Sequence, residues 1–248
     1  LGKNHCNYGE VEYCFIGKNV ACAISVGSDK SSPSLKFKGK STETNEDAVL
    51  AIQYGTSLLL AIADAHFGTW ASSSILSGLS KYSRRLISLT LIYEVFQTLC
   101  NESYDFNENS ETTLIIASVD LSTGLGFGVS FGDSSAMLIN QHEANRLNKK
   151  NSRFVTLNNM HSLQENAAEE FTFTIKPGEM FLLFTDGVDE CHYGKPATSV
   201  NEHDILTIYR DSPNDAKSYV FNLANLALKG VNGNPGGQDN VAIAAVVL

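Results

Sequence analysis

The sequence predicts an α+β fold, two β-sheets packed face to face with helical layers outside, and three observations carry that prediction. Apolar runs such as residues 58–63 and 241–247 hold no charge on either face, so they read as strands covered on both sides. Helical periodicity arrives in pairs rather than once after each strand, which disfavours regular βαβ units and a doubly wound parallel sheet. No internal repeat and no linker divides the 248 residues, a length that buries a substantial core. The chain therefore reads as a single domain over residues 1–248, with 1–19 as an N-terminal extension of no clear pattern.

Residues 20–27 read as the first strand, and 28–44, rich in Ser, Lys and Gly, as a loop. Asn45-Glu46-Asp47 leads into a strand over 48–52. The apolar run 58–63 stops on Asp64-Ala65-His66-Phe67-Gly68, and an acid and an imidazole at the tip of a buried strand read as a site. From Ala71 to about Cys100, apolar residues at helical spacing (Ile75, Leu79, Tyr82, Leu86) predict two helices or one broken helix packed on a sheet. Residues 101–110 form a connecting loop. Residues 112–119 and 126–130 read as a hairpin-like pair around Ser122-Thr123-Gly124, and Phe131-Gly132-Asp133-Ser134 turns into a strand over 136–139. The polar stretch 141–170 is expected to be a surface loop or short helix. Residues 171–175 alternate as an edge strand, and the strand 180–185 runs into Asp186-Gly187. Helices are expected over 201–210 and 213–229, the second with Ser212 as N-cap, Asp215 near its positive end and Gly230 as its stop. Gly236-Gly237-Gln238 then delivers Asp239-Asn240 to the closing strand.

Eighteen basic against 27 acidic residues give a net charge of −9, which argues against nucleic acid or an anionic membrane as the main partner. The five cysteines lack the paired spacing of a zinc site and read as reduced thiols of a cytoplasmic protein. No apolar run approaches the roughly 18 residues needed to span a bilayer, and a monomer is expected.

Asp64, Asp186 and Asp239 each stand at the end of an apolar strand and far apart in sequence. Together they suit one hard cation, because Mg²⁺ and Mn²⁺ prefer oxygen ligands. Taken singly, each has a plainer reading: an Asp before Gly is usually a turn residue bonding nearby backbone, and a lone His is usually a satisfied core or surface residue.

The ordered set resembles the metal-dependent protein phosphatases of type 2C. The matching segments are Asn45-Glu46-Asp47-Ala48, Ala63-Asp64-Ala65-His66-Phe67-Gly68, Glu111-Thr112-Thr113-Leu114, Phe131-Gly132-Asp133-Ser134-Ser135-Ala136, Phe184-Thr185-Asp186-Gly187 and Gly237-Gln238-Asp239-Asn240-Val241. They reach from about residue 20 to the C-terminus. The resemblance implies a four-layer α/β/β/α sandwich of two mainly antiparallel sheets flanked by helices. It implies a serine/threonine phosphatase that hydrolyses a phosphoprotein substrate with a metal-activated water, using two Mg²⁺ or Mn²⁺ ions and room for a third. By the same resemblance Asp64 bridges the ions, Asp186 and Asp239 hold one of them, and the carbonyl of Ala65 holds the other. Glu46 and Asp47 hold metal-bound water or support the ligands, Asp133 serves an additional ion or caps a turn, and His66 protonates the leaving alcohol.

Three departures stand out. Ala65 replaces a family Gly. Thr42 stands where many members place a phosphate-gripping Arg, which leaves Lys36, Lys38 or Lys40 as point charges for that task. The stretch between Asp133 and Asp186 is short, so the flap over the site is reduced and the centre is expected to be open. Regulator phosphatases of bacterial stress and sporulation pathways share the fold and also do without that Arg, and Thr185-Asp186-Gly187-Val188-Asp189-Glu190 looks like their motif. Asn45-Glu46-Asp47 and Asp64-Ala65-His66 favour the type 2C branch. The competing class is a catalytically weak scaffold on the same fold; a metal-dependent nuclease is disfavoured by the lack of a basic stripe.

Overall fold

The computed structural model describes residues 2–28, 30–82, 94, 110–156 and 168–248. Two sheets, antiparallel at every pairing, form its centre. The first comprises β1 (Glu12–Ile16), β2 (Val20–Ser25), β8 (Ser135–Ile139), β9 (Ala144–Arg146), β12 (Met180–Phe184) and β13 (Val241–Val247), in the order β1-β2-β13-β12-β8-β9. The second runs β10 (Val155–Thr156), β5 (Glu111–Thr112), β4 (Ser57–His66), β6 (Leu114–Asp120), β7 (Leu125–Phe131) and β11 (Glu169–Thr174), with β3 (Asp47–Tyr54) also paired to β4.

The period of two explains both the layers and the position of the site. In β4, Leu58, Leu60 and Ile62 face the other sheet, where they meet Ile24, Phe181, Leu183 and Ala244. Leu59, Ala61 and Ala63 face outward onto Ile75 and Leu79 of α2 (Trp70–Tyr82). Across the first sheet, Leu182, Phe184 and Ile243 pack on Ile205 and Tyr209 of α4 (Glu202–Asp211) and on Tyr219 and Leu223 of α5 (Ala216–Lys229). The order of layers is helix, sheet, sheet, helix, as the sequence predicts. Continuing the even-numbered register of β4 brings Asp64 to the same inter-sheet face, at the end of the sandwich.

The edges are where the structure departs from expectation. Residues 12–16, without a clear pattern in sequence, form β1, the edge strand against β2. The polar stretch 141–170 contributes β9 and β10 rather than only loop. The loop 28–44 contains α1 (Pro33–Phe37). Asp186 does not sit in a turn; it opens the short helix α3 (Asp186–Asp189). Ser212 is the C-cap of α4, and Asp215 caps α5 by accepting from the N–H groups of Lys217 and Ser218. Ser212 loses that role because the helix before it runs to Asp211 and its own N–H bonds back to Ile208 and Tyr209. Gly230 ends α5 as expected. The helical pattern beyond residue 82, the loop at 101–109 and residues 157–167 lie outside the described residues, apart from residue 94.

Candidate functional site

At one end of the sandwich the tips of both sheets bring acids together from four segments. Asp47 and Asp64 are directly opposite each other in the β3–β4 register. Asp186 comes from the first turn of α3, and Asp239 from the residues just before β13. All four are buried. Gly187 makes the approach of α3 to Asn240 feasible: a Cβ there would lie 1.7 Å from the Asn240 carbonyl oxygen.

The charge that balances these acids comes from the chain itself. Lys38 Nζ donates to Asp186 Oδ2 and, at 2.5 Å, to Asp239 Oδ2; it lies 3.7 Å from Glu190 Oε2. Lys40 Nζ donates to Asp64 Oδ1 and, at 3.0 Å, to Asp47 Oδ1, and stands 3.2 Å from Asp239 Oδ1. Asp64, Asp186 and Asp239 do converge, and two ammonium groups join them. The Lys40 side chain is 0% exposed and that of Lys38 only 9%. This corrects two expectations. Lys38 and Lys40 are not poised as point charges for a substrate phosphate, because their donors are directed at carboxylates; Lys36 is exposed. Nor is the cluster open, because the loop carrying the two lysines lies over it. Gly39 lets that loop in: a Cβ there would come within 2.4 Å of the Phe67 ring. Phe67 takes a φ of 62°, and its N–H bonds to the Gly39 carbonyl at 3.3 Å.

Several further residues fix the acids. Thr185 Oγ1 donates to Asp47 Oδ2 at 2.7 Å and accepts from the Ala242 N–H at 2.9 Å, tying the two sheets together. Thr113 Oγ1 accepts from the Asp64 N–H and shares a 2.7 Å hydrogen bond with Ser134 Oγ. Asn240 Oδ1 accepts from the Glu46 N–H, while its Nδ2 donates to the Val26 carbonyl. Glu46 Oε1 accepts from the N–H groups of Ser41 and Gly68, while its Oε2 is buried without a hydrogen-bond partner. Ala65 lies in β4, opposite Thr112, and is not among the residues of positive φ, so the replaced Gly leaves no strain.

Electrostatics divides the acids into two kinds. Burial pushes Asp64 up to about 8, helped by the charges of Asp47 and Asp239 and opposed by Lys40. Burial and the charge of Asp64 also push Asp186 well up. Burial works against ionised Asp239 too, yet Lys40 and Lys38 outweigh it and hold this carboxyl at about 2. For both lysines burial is likewise outweighed, by Asp239 foremost, so each stays an ammonium. His66, 3.8 Å from Glu111 Oε1 and edge-on to the Phe154 ring, is pushed down to about 4 by burial and by the charge of Lys40. It is a neutral imidazole at pH 7.

The donor set is all oxygen, which suits a hard divalent cation. Asp64 Oδ2, Asp133 Oδ1 and Asp186 Oδ1 are buried with no hydrogen-bond partner. These three residues each offer an oxygen within 4.8 Å of the others. One cation therefore fits beside the lysines, on Asp64, Asp133 and Asp186. The oxygens of Asp239 already face Lys38 and Lys40.

A sequence model of the family "Stage II sporulation protein E (SpoIIE)" matches residues 57–246. No curated protein matches the sequence. Among solved structures, the chain is similar to the catalytic domain of the serine/threonine protein phosphatase PstP in complex with two manganese ions: TM-score 0.64, 20% identity, 96% of this chain and 98% of that one. It is similar to RsbX in complex with magnesium, with TM-score 0.60, 15% identity and coverage of 96% and 100%. It is also similar to the PPM Ser-Thr phosphatase MsPP from Mycobacterium smegmatis in complex with cacodylate, with TM-score 0.61, 21% identity and coverage of 92% and 97%. At these identities the likeness shows the fold of the protein phosphatases of type 2C.

Proposed function

Because the chain belongs to the SpoIIE family, whose fold is that of the type 2C phosphatases, we propose that it is a metal-dependent protein phosphatase acting on phosphoserine or phosphothreonine, built as one domain over residues 1–248. The observation that carries this reading is the convergence of Asp64, Asp133 and Asp186, with three buried oxygens left without partners.

In this reading Asp64, Asp133 and Asp186 hold a Mg²⁺ or Mn²⁺ ion. Such an ion neutralises the phosphate charge and acidifies a water molecule. Asp239, held ionised between two ammonium groups, fixes the loop of Lys38 and Lys40 across the entrance. Asp47 aligns Lys40 and Thr185, and Glu46 fastens the backbone at Ser41 and Gly68. His66 packs beside Phe154 and Phe67, and in this reading it delivers the proton to the leaving alcohol. Burial and the charge of Lys40 hold it as a neutral imidazole at pH 7, so it must take up a second proton before it can serve as that acid.

A second reading, a catalytically weak binding module, is favoured by the two ammonium groups that occupy Asp186 and Asp239. Hydrolysis of p-nitrophenyl phosphate and of a phosphoserine peptide in the presence of Mn²⁺ separates the two. The phosphatase reading expects turnover that Asp186→Ala lowers by at least about a hundredfold. Equal inertness of wild type and variant across metals and pH establishes the binding module instead.

A further inference from the structure

Resting on the phosphatase reading, we propose that Lys38 and Lys40 are tethered cations of the acidic centre: they stand in for divalent metal on Asp239, and an ion reaches that residue only by expelling an ammonium group.

The contacts argue for replacement rather than for an incidental surface pairing. Each lysine touches more than one acid, and the acids come from different elements. Lys38 bridges Asp186 and Asp239, and Lys40 bridges Asp47, Asp64 and Asp239. Bridging several carboxylates drawn from distant parts of the chain is the task of a bound cation. Burial raises the stakes, since an ammonium or carboxylate removed from water is stable only when paired. The oxygens divide accordingly. Asp64 Oδ1, Asp186 Oδ2 and both oxygens of Asp239 face lysine, while Asp64 Oδ2, Asp186 Oδ1 and Asp133 Oδ1 face no partner. The centre is thus split into a half the chain fills and a half left for an ion.

The two lysines differ in how readily they can leave. Lys40 is wholly enclosed. Lys38 lies nearer the entrance, 4.9 Å from the centre of the Tyr193 ring and 3.7 Å from Glu190, and the neighbouring Phe37 is 81% exposed. A cation that swings off Asp186 finds an aromatic face and a carboxylate on its way out. Lys38 is therefore the displaceable one, and a metal entering beside Asp239 competes with it.

Calorimetric titration of the metal-stripped protein with Mn²⁺ tests this. Lys38→Met is expected to bind Mn²⁺ at least about tenfold more tightly than wild type, with a larger rise in Tm on adding Mn²⁺. A variant that folds only once Mn²⁺ is added also counts for the proposal. Any smaller gain in affinity, or a loss, overturns it. If Lys38→Met does not fold under either condition, Lys38→Gln is put to the same criterion. Binding is read without turnover, so the outcome separates from that of the phosphatase assay. An inert protein that shows the gain keeps the tethered cations and loses the enzyme; an active one without it does the reverse.

Discussion

Asp64 and Asp239 are both fully enclosed aspartates near Lys40, yet one is pushed up to about 8 and the other held at about 2. The difference lies in their partners: Asp239 faces two ammonium groups, whereas Asp64 faces one and has Asp47 directly opposite. A measurable consequence follows for the metal-free protein. Between the ordinary aspartate value near 4 and about 8, the unfolded chain has released the proton of Asp64 and the folded chain keeps it. The folded state then holds one more proton than the unfolded state, so stability falls as pH rises through that window, by at most about 1.4 kcal/mol per pH unit. Urea unfolding in EDTA from pH 5 to 8 is expected to show this fall, and Asp64→Asn to flatten it. A wild-type slope of the opposite sign, or one unchanged in the variant, contradicts the assignment. The acids themselves were legible, because Asp64 and Asp186 follow an apolar run and Asp239 stands just before one. Lys38 and Lys40 were legible only as charges in a polar loop, since nothing in Lys36-Phe37-Lys38-Gly39-Lys40 tells an inward ammonium from one in water.

At the scale of elements, strands with both faces buried were readable and edge strands were not. The runs 58–63, 180–184 and 241–247, which lie in β4, β12 and β13, are apolar throughout and read as strands buried on both faces. β1 reads Glu12-Tyr13-Cys14-Phe15-Ile16, with its exposed positions mixed among apolar ones, and β9 and β10 are too short to show a period. Their pairing comes from neighbouring backbone rather than from their own side chains. The helix α3 was hidden for a related reason: four residues cannot show a helical period, and Asp186-Gly187 reads equally as a turn. Gly187 tests its role. With the Asn240 carbonyl oxygen 1.7 Å from where a Cβ would stand, Gly187→Ala must push α3 away from β13. The expected cost is about 1–3 kcal/mol by thermal or urea unfolding, together with weaker Mn²⁺ binding as Asp186 is displaced. Full stability and metal affinity in the variant would mean that α3 has room the structure does not give it.

For the whole molecule, the sandwich works as a clamp that ends in a buried set of charges. The layer between the sheets holds Leu60, Ile62, Phe181 and Leu183 at fixed spacing, and the same register continues into Asp64, Thr185 and the residues before β13. Fold and site are therefore one construction: the period that buries the core also aims the acids. The four-layer architecture was legible from the apolar runs and the paired helices. The closed state of the centre was not, because it depends on a loop whose position is set by contacts with Phe67 and the acids rather than by its own pattern. The most direct test is an anomalous-scattering map from crystals soaked in Mn²⁺. A peak within about 2.5 Å of carboxylate oxygens of both Asp64 and Asp186 is expected. A map with no peak in contact with Asp64, Asp133, Asp186 or Asp239, under conditions where Mn²⁺ is seen elsewhere, would contradict it.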